Sequence, residues 1–97
     1  MSIWGVDTKV LKFGAIWCSD CPVMMSRWQK IEKEYAWLKT EYYDFDEDKG
    51  IVEKYKIIKP PTFIFLNKEG EEFLRLHGEI CNKELSDIIN MIKNRWS

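Results

Sequence analysis

The chain has 97 residues, enough for one domain built around one core. Fifteen Lys and Arg stand against sixteen Asp and Glu, a formal charge of −1; this excludes the basic stripe of a nucleic-acid binder and the polybasic anchor of a membrane-surface protein. Apolar residues at 45% and charged residues at 32% exclude disorder, and three cysteines are too few and too odd for a disulfide-stapled scaffold. Residues 1–7 show neither a basic start nor an apolar run with a cleavage site, and no stretch approaches the roughly 18 apolar residues of a membrane span. The expected setting is therefore a reducing cytoplasm, with no membrane and no nucleic acid as partner.

In chain order, residues 10–16 are a short, mostly apolar run that predicts a buried strand. Cys18, Ser19, Asp20, Cys21 and Pro22 follow at once. Met24, Trp28, Ile31 and Tyr35 then recur at helical spacing with charged residues between them. Asp20 just before this pattern and Pro22 in its first turn are start signals, so a helix is predicted over 20–35. Residues 38–45, rich in Tyr, Thr and Phe, predict a second strand. Residues 46–50 break it, and 51–55 form a short helix that Pro60 and Pro61 cannot continue. Residues 62–66 predict a strongly apolar strand, 67–70 a turn, and 71–76 its hairpin partner. Gly78 punctuates, and a last amphipathic helix runs from 81 or 82 to 96 with Leu85, Ile88, Ile89 and Ile92 on one face. The order is β-α-β-α-β-β-α, an α/β class. The alternating first half calls for parallel strands and a right-handed crossover, and the second for an antiparallel hairpin. The expectation is a four-stranded mixed sheet flanked by helices.

Trp17-Cys18-Ser19-Asp20-Cys21 falls where a strand hands over to a helix. A cysteine at a helix N-terminus meets unpaired backbone N–H groups and the positive end of the dipole, which favour thiolate over thiol. The two-residue spacer lets the second sulfur reach the first, so the pair can close to a disulfide. Cys18, taken as the more exposed, would attack a substrate disulfide; Cys21, one turn inside, would resolve the mixed disulfide.

From about residue 10 to residue 96 the sequence resembles the thioredoxin family. The resemblance rests on Trp17-Cys18-x-x-Cys21 after a buried strand, on Pro61-Thr62 at the position of the family's cis-proline, on the hairpin, and on Gly78, where a partner approaches. It implies a thioredoxin fold in a short form without an extra N-terminal strand and helix. It further implies a Pro61 beside the cysteine pair, a redox-active Cys18–Cys21 disulfide with no bound cofactor, disulfide-containing protein or small-molecule substrates, an electron donor of the thioredoxin-reductase type, and a monomer.

Three departures from the family pattern bear on mechanism. The spacer is Ser19-Asp20; the charge of Asp20 should disfavour a nearby thiolate, while the plainer reading makes it a helix cap. The position six residues before Cys18, where the family buries an Asp, is Lys12. It would either stabilise a Cys21 thiolate or point to solvent at a strand end, and the second is favoured because a buried lysine is costly. Pro60 precedes Pro61 and has no N–H, so one backbone bond to an extended substrate is lost.

Other features carry plainer readings. Cys81 is expected to be a small half-buried residue rather than a regulatory thiol, and His77 an ordinary strand-end histidine. Asp44, Asp46 and Asp48 mimic a calcium loop but lack its Gly and its closing Glu, so a solvated turn is expected. The leading function is a dithiol–disulfide oxidoreductase; the alternatives are a binding module on the same fold with little redox activity, which the presence of both cysteines counts against, and a glutaredoxin-like user of glutathione, which Trp17 argues against. Zinc is disfavoured because one Cys-x-x-Cys supplies only two ligands.

Overall fold

A computed structural model of the chain describes residues 8–96; the reading of the first seven residues lies outside them. The elements are β1 (Lys9–Gly14), α1 (Cys21–Glu34), β2 (Lys39–Asp44), α2 (Lys49–Lys54), β3 (Thr62–Leu66), β4 (Glu72–His77) and α3 (Asn82–Trp96). The predicted order and types hold throughout. The sheet runs β2-β1-β3-β4. β1 and β2 are parallel, whereas β1–β3 and β3–β4 are antiparallel.

The two faces of the sheet follow from the two-residue period of its central strands. Val10 of β1 and Phe63 and Phe65 of β3 pack against Met24, Trp28 and Ile31 of α1 and Leu85, Ile89 and Ile92 of α3. Leu11 and Phe13 of β1 and Ile64 and Leu66 of β3 face the other way, toward Ile57 and the α2 residues Ile51 and Val52. Both central strands are thus buried on both faces, which is why they read as apolar runs rather than alternating ones. Trp28 is fully buried, with ring centroids 5.4 Å from Phe63 and 6.1 Å from Phe65.

Element ends differ from expectation by at most two residues, and those of β3 coincide with it. β1 stops at Gly14 because Ala15 already belongs to a turn, its carbonyl accepting from the Cys18 N–H at 3.2 Å. Asp20 takes the N-cap place of α1, but its side chain makes no capping hydrogen bond. α2 starts two residues early, at Lys49, and ends at Lys54. Arg75 of β4 donates to the Tyr55 carbonyl at 2.8 Å, fastening the end of α2 to the sheet. Arg27 of α1 donates to the Ile80 carbonyl at 2.8 Å, and the Ile80 N–H donates to Met24 Sδ at 3.3 Å. These bonds tie the segment after β4 to α1. No helix among the described residues is long and apolar enough to cross a membrane.

The antiparallel register sets what meets at one end of the sheet. Phe13 is level with Thr62, and Thr62 with His77. The C-terminal ends of β1, β2 and β4 and the N-terminal end of β3 therefore lie together, and the loops leaving them form one rim.

Trp28→Ala should lower stability by about 3–5 kcal/mol, the usual cost of deleting a fully buried Trp. The denaturant midpoint of the purified protein reads this directly.

Candidate active site

Cys18 lies in the loop between β1 and α1, and Cys21 opens the helix; the two are joined in a disulfide with Cα atoms 5.4 Å apart. The Cys21 N–H donates to the Cys18 carbonyl at 3.3 Å, so the loop is already wound toward the helix. Ala15 packs against both cysteines, with Phe45 beside them. The expectation that Cys18 is the more exposed is not met, since each residue is only 7% exposed. The disulfide buries both sulfurs against the same small cluster, and what separates the two is their place relative to the helix.

Trp17 stands 57% exposed above this cluster. Its indole Nε1 donates to Asp46 Oδ2 at 2.7 Å, and its ring meets Phe45 edge-on at 6.0 Å. Asp46 itself sits in the turn after β2. There Asp44 Oδ1 accepts from the Asp46 and Glu47 N–H groups, and Asp48 Oδ2 accepts from the Asp44 N–H. The turn reading of the three aspartates stands, but its role as the brace of Trp17 was not legible in the sequence. No local pattern links residues 17 and 46.

The Pro60–Pro61 peptide is cis, as the resemblance implies. The Pro61 carbonyl accepts from the Gly78 N–H at 2.9 Å, and Gly78 holds φ at +73°, a conformation open to glycine. Thr62 is fully buried and its hydroxyl donates to the Lys59 carbonyl at 2.6 Å. With that proton committed, His77 Nδ1, 3.2 Å away, is the donor to Thr62 Oγ1. Thr62 thus clamps the proline loop, and His77 is the strand-end residue expected of it. Ser19 is exposed, as is Asp20.

Lys12 contradicts the solvent-facing reading. It is 7% exposed in the middle of a central strand, and its ammonium pairs with Glu32 of α1, Nζ to Oε2 2.5 Å. Thr40 of β2 donates to the same oxygen at 2.9 Å. A central strand offers the lysine no strand end from which to reach water, so it is buried with a partner instead. Cys81 is likewise not half-buried: it is exposed and free, one residue before the start of α3.

Two contacts escape the sequence reading, Tyr42 near Cys21 and Glu32 on Lys12. A side chain on Gly14 would lie 2.9 Å from the Tyr42 hydroxyl and 3.4 Å from Cys21 Sγ, so a tyrosine from β2 fills the space this glycine leaves. Glu32 was read only as a charged helix position. The signal for the first was a glycine in an otherwise bulky strand, four residues before Cys18. Ile16 and Ile58 stand 97% and 84% exposed on the loops after β1 and before β3, an apolar rim flanking Trp17 and the prolines. Among the described residues no group of three His, Cys, Asp or Glu is gathered as metal ligands.

The family model for thioredoxin matches residues 5–93. A protein named thioredoxin H5 from Oryza sativa subsp. japonica is 37% identical over 71 residues, 73% of this chain and 52% of that protein. Thioredoxin-1 of Drosophila melanogaster is 36% identical over 61 residues, 61% of this chain and 56% of its own. The chain thus spans between half and three-fifths of the length of the curated relatives it matches. Among solved structures, Fasciola hepatica thioredoxin superposes with a TM-score of 0.80 at 27% identity, over 89% of this chain and 81% of that one. The Nicotiana alata thioredoxin NaTrxh gives 0.80 at 26% identity, over 89% and 73%.

Replacing Asp20 by Asn should lower the Cys18 thiol pKa in the reduced protein by removing a like charge beside the nascent thiolate. Thiolate absorbance at 240 nm against pH checks the shift; an unchanged titration would leave Asp20 a positional cap only.

Proposed function

The chain belongs to the thioredoxin family, and from that premise we propose that it is a thiol–disulfide oxidoreductase that reduces substrate disulfides through Cys18 and Cys21. The observation that carries this reading is the disulfide closed across the junction of β1 and α1, at the end of the sheet where Phe13 is level with Thr62.

The reaction balances without a bound cofactor. The Cys18 thiolate attacks one sulfur of a substrate disulfide; a Cys18–substrate bond forms and the other substrate sulfur leaves with the electron pair and takes a proton. The Cys21 thiolate then attacks Cys18 Sγ, the intramolecular disulfide forms, and the second substrate sulfur leaves in turn. Two electrons have passed to the substrate. A dithiol donor of the thioredoxin-reductase type restores the chain, which requires a reducing compartment such as the cytoplasm. We read the chain as a single domain, as its 97 residues suit, acting as a monomer.

The remaining roles follow from position. Trp17, held by Asp46, supplies an apolar contact beside the attacking sulfur. Ser19 and Asp20 tune the pair. Pro61, clamped by Thr62 and by the Gly78 N–H, offers a fixed edge to substrate. Pro60 lacks the N–H that an extended polypeptide would use there, which favours small or irregular disulfides over extended chains. Lys12, bound to Glu32, keeps the buried position beneath the pair occupied by a neutralised charge.

With insulin as substrate and dithiothreitol as donor, wild type should turn over and Cys18→Ser should not. Cys21→Ser should accumulate a covalent mixed disulfide detectable by mass spectrometry. Absence of turnover in wild type would return the chain to a binding role. Separately, Pro60→Ile should raise the rate on several protein disulfides severalfold while leaving a small aromatic disulfide unaffected; level rates across all of them would overturn the substrate reading.

A further inference from the structure

The position that the family fills with a buried carboxylate is here a lysine already bound to Glu32 and, through it, to Thr40. That carboxylate oxygen is engaged from two sides. Much of the Lys12 charge is thereby met by Glu32, and a second group beside the pair would further steady the charge that Cys21 acquires when it attacks, since an unpaired thiolate in an apolar cluster is disfavoured.

The geometry around Gly14 singles out one such group. β1 and β2 are parallel with Lys12 level with Tyr42, so Lys12, Gly14 and Tyr42 share the face that α1 covers. A Cβ placed on Gly14 would stand 2.9 Å from the Tyr42 hydroxyl oxygen, 3.0 Å from its Cε1 and 3.4 Å from Cys21 Sγ. The hydroxyl and the sulfur are therefore at most about 6.3 Å apart in the disulfide form, with no side chain on Gly14 to separate them. The tyrosine is 46% exposed as a residue, yet its polar end is turned inward over the glycine. Gly14 shows no positive φ, so what it supplies is clearance.

We propose that Tyr42 is the hydroxyl donor to the Cys21 thiolate in the resolving step, and that Gly14 is the vacancy that admits it. The proposal rests on the redox reading above and names the residue that serves its second half. No proton is transferred by Tyr42. The Cys21 thiol releases its proton to water, the Tyr42 O–H donates to the resulting thiolate, and the sulfur attacks Cys18 Sγ; the Cys18–substrate bond breaks, the substrate sulfur leaves with the electron pair and takes a proton from water, and the hydroxyl keeps its hydrogen as the new disulfide forms. Partial burial, together with Asp44 and Asp48 nearby, raises the Tyr42 pKa above its ordinary value, so the hydroxyl stays protonated through the neutral range. The other charged groups around the pair are Asp20 at the start of α1, the Lys12–Glu32 pair between β1 and α1, and Asp46, which is bound to Trp17.

The test is run in a Cys81→Ser background, because the exposed free Cys81 would also react, and uses 5,5′-dithiobis(2-nitrobenzoate), which releases one nitrothiobenzoate when Cys18 attacks and a second when Cys21 resolves. In Tyr42→Phe the first release should keep its wild-type rate and the second should slow about tenfold at neutral pH, the scale of one hydrogen bond to a charged group. The difference should close as the pH rises past the Cys21 pKa. Gly14→Ala, which forces the ring away, should reproduce the slow second release, and combining it with Tyr42→Phe should add nothing. In the reduced protein the 13C shift of Cys21 Cβ should titrate about one pH unit higher in Tyr42→Phe than in wild type. Equal second-release rates, an unshifted titration, or a defect in Gly14→Ala without one in Tyr42→Phe would each overturn the proposal. If the Cys81→Ser protein with Tyr42 intact released no nitrothiobenzoate, the redox reading alone would fail, and the Cβ titration would still decide Tyr42.

Discussion

The contact between Trp28 and the phenylalanines of β3 is the interaction on which the site depends. It seats α1 on the sheet with the indole between Phe63 and Phe65, and α1 carries Cys21 at its first position. The six residues from Ala15 to Asp20 then have to bridge a central strand and a docked helix. Cys18 is caught in that bridge and can approach Cys21 only because both anchors are fixed. Fully buried aromatic surface is the largest local source of such fixity.

The same docking brings Glu32 down to Lys12. A lysine in the middle of a central strand is tolerable only with its charge met. The carboxylate that meets it comes from the helix, while the neighbouring hydroxyl of Thr40 comes from the edge strand. One helix face thus carries an aromatic anchor, an ion-pair partner and a cysteine. A shift of α1 along the sheet would disturb all three together, so stability and redox chemistry are coupled through one packing interface.

Much of the fold was legible because its signals are local. The apolar runs at 10–16 and 62–66, the helical recurrence of Met24, Trp28 and Ile31, and the proline pair are patterns within a few residues. Element ends moved where a turn competed for the same backbone, as at Ala15, whose carbonyl takes the Cys18 N–H instead of continuing the strand. The cysteine pair was legible for the same reason, since both sulfurs lie within one turn of chain. Lys12 was misread because cost was weighed without a partner in view; Glu32 is 20 residues away, and no spacing rule links a strand residue to a helix residue at that distance. Tyr42 and Asp46 escaped for the same reason, their contacts being made across the parallel pairing of β2 with β1.

By itself, then, the amino-acid sequence determined the order of elements, the burial of the strands at 10–16 and 62–66, and the Cys18–Cys21 couple at a strand-to-helix junction. Each of these follows from residue period, backbone restriction or short loop length. Only the tertiary structure decided what surrounds that couple: the buried lysine and its glutamate, the indole held by Asp46, the tyrosine over Gly14, and the proline loop clamped by Thr62 and Gly78. These contacts join residues far apart in the chain, and strand register and helix docking, which are global properties of the packed core, choose which of them meet.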